Sequence, residues 1–245
     1  MLHHIREITD RLAHAGARSR NLAREVTLLL VSYNYPDLLA RCLETLAATR
    51  DAFPFRLLVV DNGSIPETLA ILREYAMRHR WVRVLFLSEN RNLVAATKVG
   101  LAEVETPYTC VIHEDMTFPN KEWLRHMMAH YGDGTVLFIN QVHPVDGNRI
   151  YGFCFLIDTN TFRVIGVNDR YVLCCEDWDF MNRIVAAKGK RVLRQSRGPF
   201  VHHRSSYIRL EKEWGTTRSI EERDRETYRS IWGECRFPRH RIHGF

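Results

Sequence analysis

No run in this 245-residue sequence approaches the roughly 18 consecutive apolar residues that a bilayer-spanning helix needs. The opening MLHHIREITDRLAHAG carries charges and histidines where a secretory leader would carry its apolar core. These absences predict a cytoplasmic protein whose membrane contact, if it has one, is peripheral. The six cysteines (42, 110, 154, 174, 175 and 235) never fall at CxxC spacing, which argues against a zinc ribbon and for reduced, buried thiols. The first apolar run is followed by SYNYPD rather than by GxGxxG, and neither GxxxxGK[ST] nor HExxH occurs. A dinucleotide dehydrogenase, a P-loop enzyme and an HExxH metalloprotease are thereby disfavoured. Repeats and low-complexity segments are also lacking.

What is present is ordinary for a soluble globular chain: 45% hydrophobic and 26% charged residues, with a net charge of +6. The basic excess lies mostly in the ends. Residues 1–25 carry five Arg against three acids, and 203–245 carry ten Lys/Arg against seven acids. Such ends suit an anionic surface, but alternating charge on solvated helix faces accounts for them more simply. The near-neutral middle and the lack of a DNA- or RNA-binding motif speak against a specific nucleic-acid partner.

Residues 3–24 have the pattern of an amphipathic helix interrupted near Gly16. From 26 onward, short apolar runs alternate with helical patterns. VTLLLVSY (26–33), FRLLVVD (55–61), VRVLFLS (82–88) and YTCVIHED (108–115) read as strands, and 37–50, 67–80 and 93–105 as helices. This is the pattern of βαβ units, a mostly parallel sheet with helices on both faces. Beyond 116 the alternation loosens. A helix near 120–131, strands near 135–140 and 150–157, a short helix near 159–165, a helix opening at CCEDWDFMNR (174–183) and a strand near 191–194 are expected. A tail helix over 219–232 has Ser219 and Glu222 at capping-box spacing. The fold class is therefore α/β, one domain over 26–206, with a helical N-terminal extension (1–25) and a helical C-terminal tail (207–245).

Ligands of open parallel sheets bind beyond the carboxyl ends of the strands. Those ends are Ser32-Tyr33-Asn34, Asp61-Asn62-Gly63-Ser64, Ser88-Glu89-Asn90 and His113-Glu114-Asp115, all polar, which suits a phosphate- or hydroxyl-rich ligand. Asp61 suits ribose hydroxyls or a base N–H, though DNGS is also turn chemistry. The acids of HED would repel a pyrophosphate without a divalent cation between them, and oxygen ligands suit Mg²⁺ or Mn²⁺. Asn90 opens a helix whose N-terminus favours phosphate, with Lys98 adding a charge. VHHRSS (201–206) offers a histidine pair. Tyr33, Tyr151, Phe153 and Trp178 could stack on sugar or base faces, or simply pack in the core. In CCEDWDFMNR the three carboxylates suit a helix N-terminus, a metal or a proton acceptor.

This ordered set resembles the inverting glycosyltransferases of family 2, which have the GT-A fold. VSYN matches the family's first strand end, and VVDNGS (59–64) its second. Asn90, Ala96 and Gly100 match its next helix start, although Asn92 stands where glycine is usual. His113-Glu114-Asp115 aligns with its DxD-like metal triplet, with His113 replacing the first acid. Gly166, Asp169, Glu176, Asp177, Asp179, Arg183 and Gly189 fit its later acidic motif, and VHHRSS its closing histidine. The resemblance covers about 26–206.

The resemblance implies an enzyme moving a sugar from a nucleotide-diphosphate sugar to an acceptor hydroxyl, with inversion. Ser32, Tyr33, Asn34, Asp61, Asn90, Lys98, His113 and Glu114 would form the donor site, Asp61 touching base or ribose. Asp115 would bind Mn²⁺ or Mg²⁺ on the pyrophosphate. His202, with His203 as the alternative, would be a second metal ligand or a pyrophosphate contact. Asp177 would be the general base, Glu176 would orient the acceptor, and Asp179 would serve the helix start. An inactive glycosyltransferase-like module that binds nucleotide sugar or a protein is the alternative, and a sugar nucleotidyltransferase a lesser one.

Overall fold

The computed structural model describes residues 26–139, 152, 154–189, 192–196, 202–203, 217–233 and 243–244. The helix expected within 3–24, the rings of Tyr151 and Phe153, and the side chains of His202 and His203 lie outside what is described.

Four apolar runs become parallel or near-central strands: β1 (Val26–Ser32), β2 (Arg56–Asp61), β3 (Val82–Phe86) and β4 (Tyr108–His113). Between them run α1 (Pro36–Ala47), α2 (Pro66–Arg78) and α3 (Asn92–Ala102). The chain then makes β5 (Met116–Thr117), α4 (Trp123–His130), β6 (Val136–Phe138), β7 (Cys154–Asp158) and α5 (Thr159–Ile165). It ends with α6 (Glu176–Lys188), β8 (Leu193–Gln195), β9 (His202–His203), α7 (Thr217–Trp232) and β10 (His243–Gly244). Pro36 and Pro66 stand in the first turns of α1 and α2, where a missing N–H costs nothing.

Among the described residues, eight strands form one sheet in the order β10-β8-β6-β7-β4-β1-β2-β3. β7 alone runs against its neighbours β4 and β6, and the other pairings are parallel. The fold is α/β, mostly parallel, with helices on both faces. Period-two alternation explains why the strands read as unbroken apolar runs. Leu28 and Leu30, Leu57 and Val59, and Cys110 and Ile112 point to one core, with α1, α2 and α4. Leu29, Leu58, Val60 and Val111 point to the other, with α3, α5, α6 and α7.

Two short elements carry no periodic signal. β5 follows directly on His113-Glu114-Asp115 and pairs antiparallel with β9, Thr117 opposite His202 and Met116 opposite His203. α7 begins at Thr217, so Ser219 lies inside its first turn instead of capping it as the capping-box spacing predicts. The helix gains its place by packing, since Tyr228, Ile231 and Trp232 join the core beside α6. No helix among the described residues is long and apolar enough to cross a membrane.

Candidate active site

The carboxyl ends of β1, β2 and β4 and the N-terminus of α3 converge, and side-chain hydrogen bonds knit them together. Ser32 Oγ donates to Glu114 Oε2 at 2.7 Å, and the Tyr33 N–H donates to Glu114 Oε1 at 3.1 Å. Glu114 is therefore spent mainly on bracing the end of β1, though it also borders the cleft described below. Burial pushes its pKa up to about 8 against the pull of those two donors, and the charges of Asp115 and Asp61 add to the rise.

The turn after β2 is held from both sides. The Asn34 N–H donates to Ser64 Oγ at 3.2 Å, and the Ile65 N–H returns a bond to Asn34 Oδ1 at 2.8 Å. Asn62 Nδ2 donates to Asn90 Oδ1 at 2.9 Å, while Asn62 Oδ1 accepts the Arg91 N–H at 2.9 Å. Gly63 has a φ of +77°, and a Cβ there would stand 2.5 Å from the Glu89 carbonyl carbon. Only glycine serves the turn and the close approach together. Asp61 is fully buried. Its Oδ2 accepts the Ser64 N–H at 3.3 Å, and its Oδ1 has no hydrogen-bond partner among the described residues.

These loops border an open cleft of about 590 Å³. Tyr33, Asn62, Asn90, His113 and Asp115 line it, and Val172, Leu173 and Ile220 form an apolar wall. Asp115 is nearly buried at this border. The β5–β9 pairing carries the backbone of His202 to a point opposite Thr117, two residues from Asp115. Among the described residues no three His, Cys, Asp or Glu side chains gather as a metal cage. Lys98 is engaged elsewhere: it pairs with Asp169 at 2.7 Å on the surface, and the lysine holds the Asp169 carboxyl below its usual range.

A smaller pocket of about 50 Å³ adjoins the cleft, and Val31, Leu93 and His113 line both. Glu176 and Asp177, at the start of α6, stand in its wall beside Gly152 and the apolar Phe155, Phe162 and Phe180. Cys175, with φ +65°, turns the chain into the helix. The two carboxyls are held differently. Asp177 Oδ2 accepts the Gly152 N–H at 3.0 Å, and its Oδ1 the Trp178 N–H at 2.8 Å. Burial raises the Asp177 pKa, and these donors pull it back. Glu176 Oε2 has no hydrogen-bond partner among the described residues. Burial, then the charge of Asp177, holds Glu176 well above the ordinary glutamate range. The two carboxyls thus differ in their partners, two N–H donors on Asp177 and an unmatched oxygen on Glu176, while burial raises the pKa of both.

Asp179 departs from the sequence expectation. Its side chain does not serve the helix start; it is fully buried and accepts from Arg183 Nε at 2.7 Å and from Trp232 Nε1 at 2.9 Å. Sequence reasoning placed Asn62 at a strand end without a role of its own, and it passed over Gly152 and Asp224, which no local pattern marks.

The family model described as "Glycosyl transferase family 2" matches residues 27–169. A teichoic acid poly(glycerol phosphate) polymerase of Staphylococcus epidermidis is 28% identical over 92 residues, 37% of this chain and 13% of that protein. Glycosyltransferase AglE of Haloferax volcanii is 26% identical over 102 residues, 40% of this chain and 33% of that one. Among solved structures, S. aureus TarS 1–349 in complex with UDP-GlcNAc aligns at a TM-score of 0.55 and 20% identity, covering 81% of this chain and 66% of that one. Mannosyltransferase PcManGT from Pyrobaculum calidifontis, in complex with GDP-Man and Mn²⁺, aligns at 0.58 and 15%, covering 81% and 63%. At these identities the structural likeness shows the fold, and this chain spans less than two thirds of each relative's length.

Proposed function

The chain belongs to glycosyl transferase family 2, and from that membership we propose that it transfers a sugar from a nucleotide-diphosphate donor to an acceptor hydroxyl, with inversion. The observation that carries this reading is the adjacency of two features. A polar cleft lies beyond the strand ends, and a doubly hydrogen-bonded Asp177 stands in the pocket next to it. An acceptor hydroxyl is a weak nucleophile until a base within hydrogen-bond reach takes its proton. Asp177 is that base, and a single base set against the leaving group gives inversion at the anomeric carbon. Glu176, beside it in the same pocket wall, orients the acceptor.

In this reading Ser32, Tyr33, Asn34, Asn90, His113 and Glu114 shape or line the donor cleft, and the unmatched Oδ1 of Asp61 receives a base N–H or a ribose hydroxyl. Lys98 stands at the outer face of α3 and reaches a donor phosphate only by leaving Asp169. PcManGT with GDP-Man and TarS with UDP-GlcNAc support a GDP- or UDP-sugar as donor.

The donor set suits a hard divalent cation, Mn²⁺ or Mg²⁺, carried largely by the nucleotide. Asp115 supplies one carboxylate at the cleft border, and His202 arrives on the strand paired beside it. Phosphate oxygens and water would fill the remaining positions. Such an ion supplies charge stabilisation to the departing diphosphate. The transferase domain is placed at 26–206, with 1–25 and 207–245 as extensions, in a cytoplasmic protein capable of peripheral membrane contact.

The test is a thermal-shift screen of UDP- and GDP-sugars with and without Mn²⁺, followed by nucleoside-diphosphate release with candidate acceptors. One nucleotide sugar should stabilise the protein more strongly with Mn²⁺, and diphosphate should appear when an acceptor is added. Stabilisation without release for every acceptor would favour the inactive binding module. No stabilisation by any nucleotide sugar would end the proposal.

A further inference from the structure

Asp224 lies on α7, outside the family-matched residues, and is fully buried. Its Oδ2 accepts three consecutive backbone N–H groups: Val172 at 3.0 Å, Leu173 at 2.7 Å and Cys174 at 3.0 Å. Three successive amides turned towards one point form an anion-binding nest, filled here by the chain's own carboxylate. Hydrogen bonds to an ionised acceptor are the strong kind.

The gripped segment leads into the site from both of its sides. Val172 and Leu173 form the apolar wall of the cleft, with Ile220 of α7 itself beside them. Cys174 leads into the left-handed turn at Cys175, which delivers Glu176 and Asp177 to the start of α6. The rest of α7 is fastened separately: Asn182 Nδ2 donates to Tyr228 Oη at 2.6 Å, and the Trp178 ring meets the Tyr228 ring edge-on at 5.9 Å. The same loop has one further α7 contact, Cys174 Sγ donating to the Glu221 carbonyl oxygen at 3.9 Å; the contacts at Tyr228 lie outside it.

We propose that Asp224 is a positioning residue: by holding the 172–174 backbone it sets the apolar wall of the cleft and the turn that presents Glu176 and Asp177. This rests on the transferase reading for its consequence and on the geometry alone for the grip. A carboxylate that fixes the entry to α6 acts on the reaction through the base's placement, where an error of about 1 Å costs on the order of 100-fold in rate.

The experiment compares Asp224→Ala, Asp224→Asn and Tyr228→Phe in the full chain. Amide hydrogen exchange at 172–174 reads the grip, and kcat and the donor KM, measured well below each variant's Tm, read its consequence. Asp224→Ala should speed exchange at those three amides and lower kcat roughly 10- to 100-fold, with a smaller rise in donor KM from the loosened cleft wall. Asp224→Asn keeps one oxygen acceptor without the charge, so it should fall between Ala and the wild type, and it serves alone should the alanine variant not fold. Tyr228→Phe should lower Tm while leaving kcat and the three amides as in the wild type.

Unchanged exchange in the Asp224 variants would overturn the grip. Faster exchange with wild-type kcat would overturn the positioning role and leave Asp224 as a stabilising contact only. If the wild type turns over no donor, the transferase reading fails by itself, and the exchange result still decides the grip.

Discussion

Gly152 and Asp177 are fitted so closely that no side chain can stand between them. The glycine N–H donates to Asp177 Oδ2 at 3.0 Å, and a Cβ on Gly152 would lie 2.4 Å from Asp177 Cβ. Gly152→Ala must therefore move either its own loop or the carboxylate. Transfer should drop at least about 10-fold, by displacement of the base. Nucleotide-sugar binding, measured by calorimetry, should stay close to wild type, because neither Gly152 nor Asp177 lines the donor cleft. A Gly152→Ala enzyme with a wild-type rate would mean that the backbone at 152 yields instead of the carboxylate, or that Asp177 takes no part in the reaction.

Asp177→Asn retains shape and loses the basic oxygen. Transfer should fall by about 10²- to 10⁴-fold, the usual contribution of a general base, with donor affinity kept. The pH profile adds a sign. Burial raises the Asp177 pKa, so the group takes up its proton at a higher pH than an ordinary aspartate of about 3.9. The acid limb of kcat/KM should accordingly lie above that value, activity being lost as pH falls through it. A flat profile down to pH 4 would contradict the base assignment.

Much of this was legible in the sequence, and the reasons differ by element. The sheet could be read because each inner strand faces two cores, which forces an unbroken apolar run such as Leu28-Leu29-Leu30. The site's outline could be read because VVDNGS, HED and EDWD all follow strand ends or open a helix. Other features resisted. β5 and β9 are two residues each, too short for any period. Glu114 reads in the sequence as a donor contact at a strand end, but its bond with Ser32 depends on a pairing across 82 positions. Asp224 reaches Val172 across 52 positions, and nothing in SIEERDRETYRSIW distinguishes it from its solvated neighbours.

Glu114 offers a test of stability against pH in the metal-free protein. Its folded pKa of about 8 lies far above the value of about 4.3 in an unfolded chain. The folded state thus binds the proton more tightly. This contribution to stability is full below pH ~4.3 and is lost as pH rises towards 8, at up to about 1.4 kcal/mol per pH unit. Glu114→Gln mimics the protonated form: its oxygen can accept from the Tyr33 N–H and its amide can donate to Ser32 Oγ. Urea unfolding at pH 5, 7 and 9 should show a flatter dependence for Glu114→Gln, with the variant at least as stable as wild type at pH 9. A parallel pair of curves would show that Glu114 titrates normally.

The buried carboxylate of Asp179 ties α6 to the tail. It accepts from Arg183 on its own helix, whose guanidinium also donates to the Gly166 carbonyl oxygen at 3.0 Å, and from the Trp232 indole at the end of α7. Trp232→Phe removes one donor and keeps most of the ring, so the cost is that of a hydrogen bond to a charged acceptor, about 2 kcal/mol. In a chain of this size that corresponds to a fall in Tm of roughly 4–8 °C. Asp179→Ala strands the Arg183 charge in a nearly buried place and should cost more, about 3–5 kcal/mol. Because Asp224 holds the loop by a separate contact, Trp232→Phe should leave kcat at 20 °C near wild type. A large loss of kcat at an unchanged Tm would mean that Trp232 meets substrate rather than anchoring the helix.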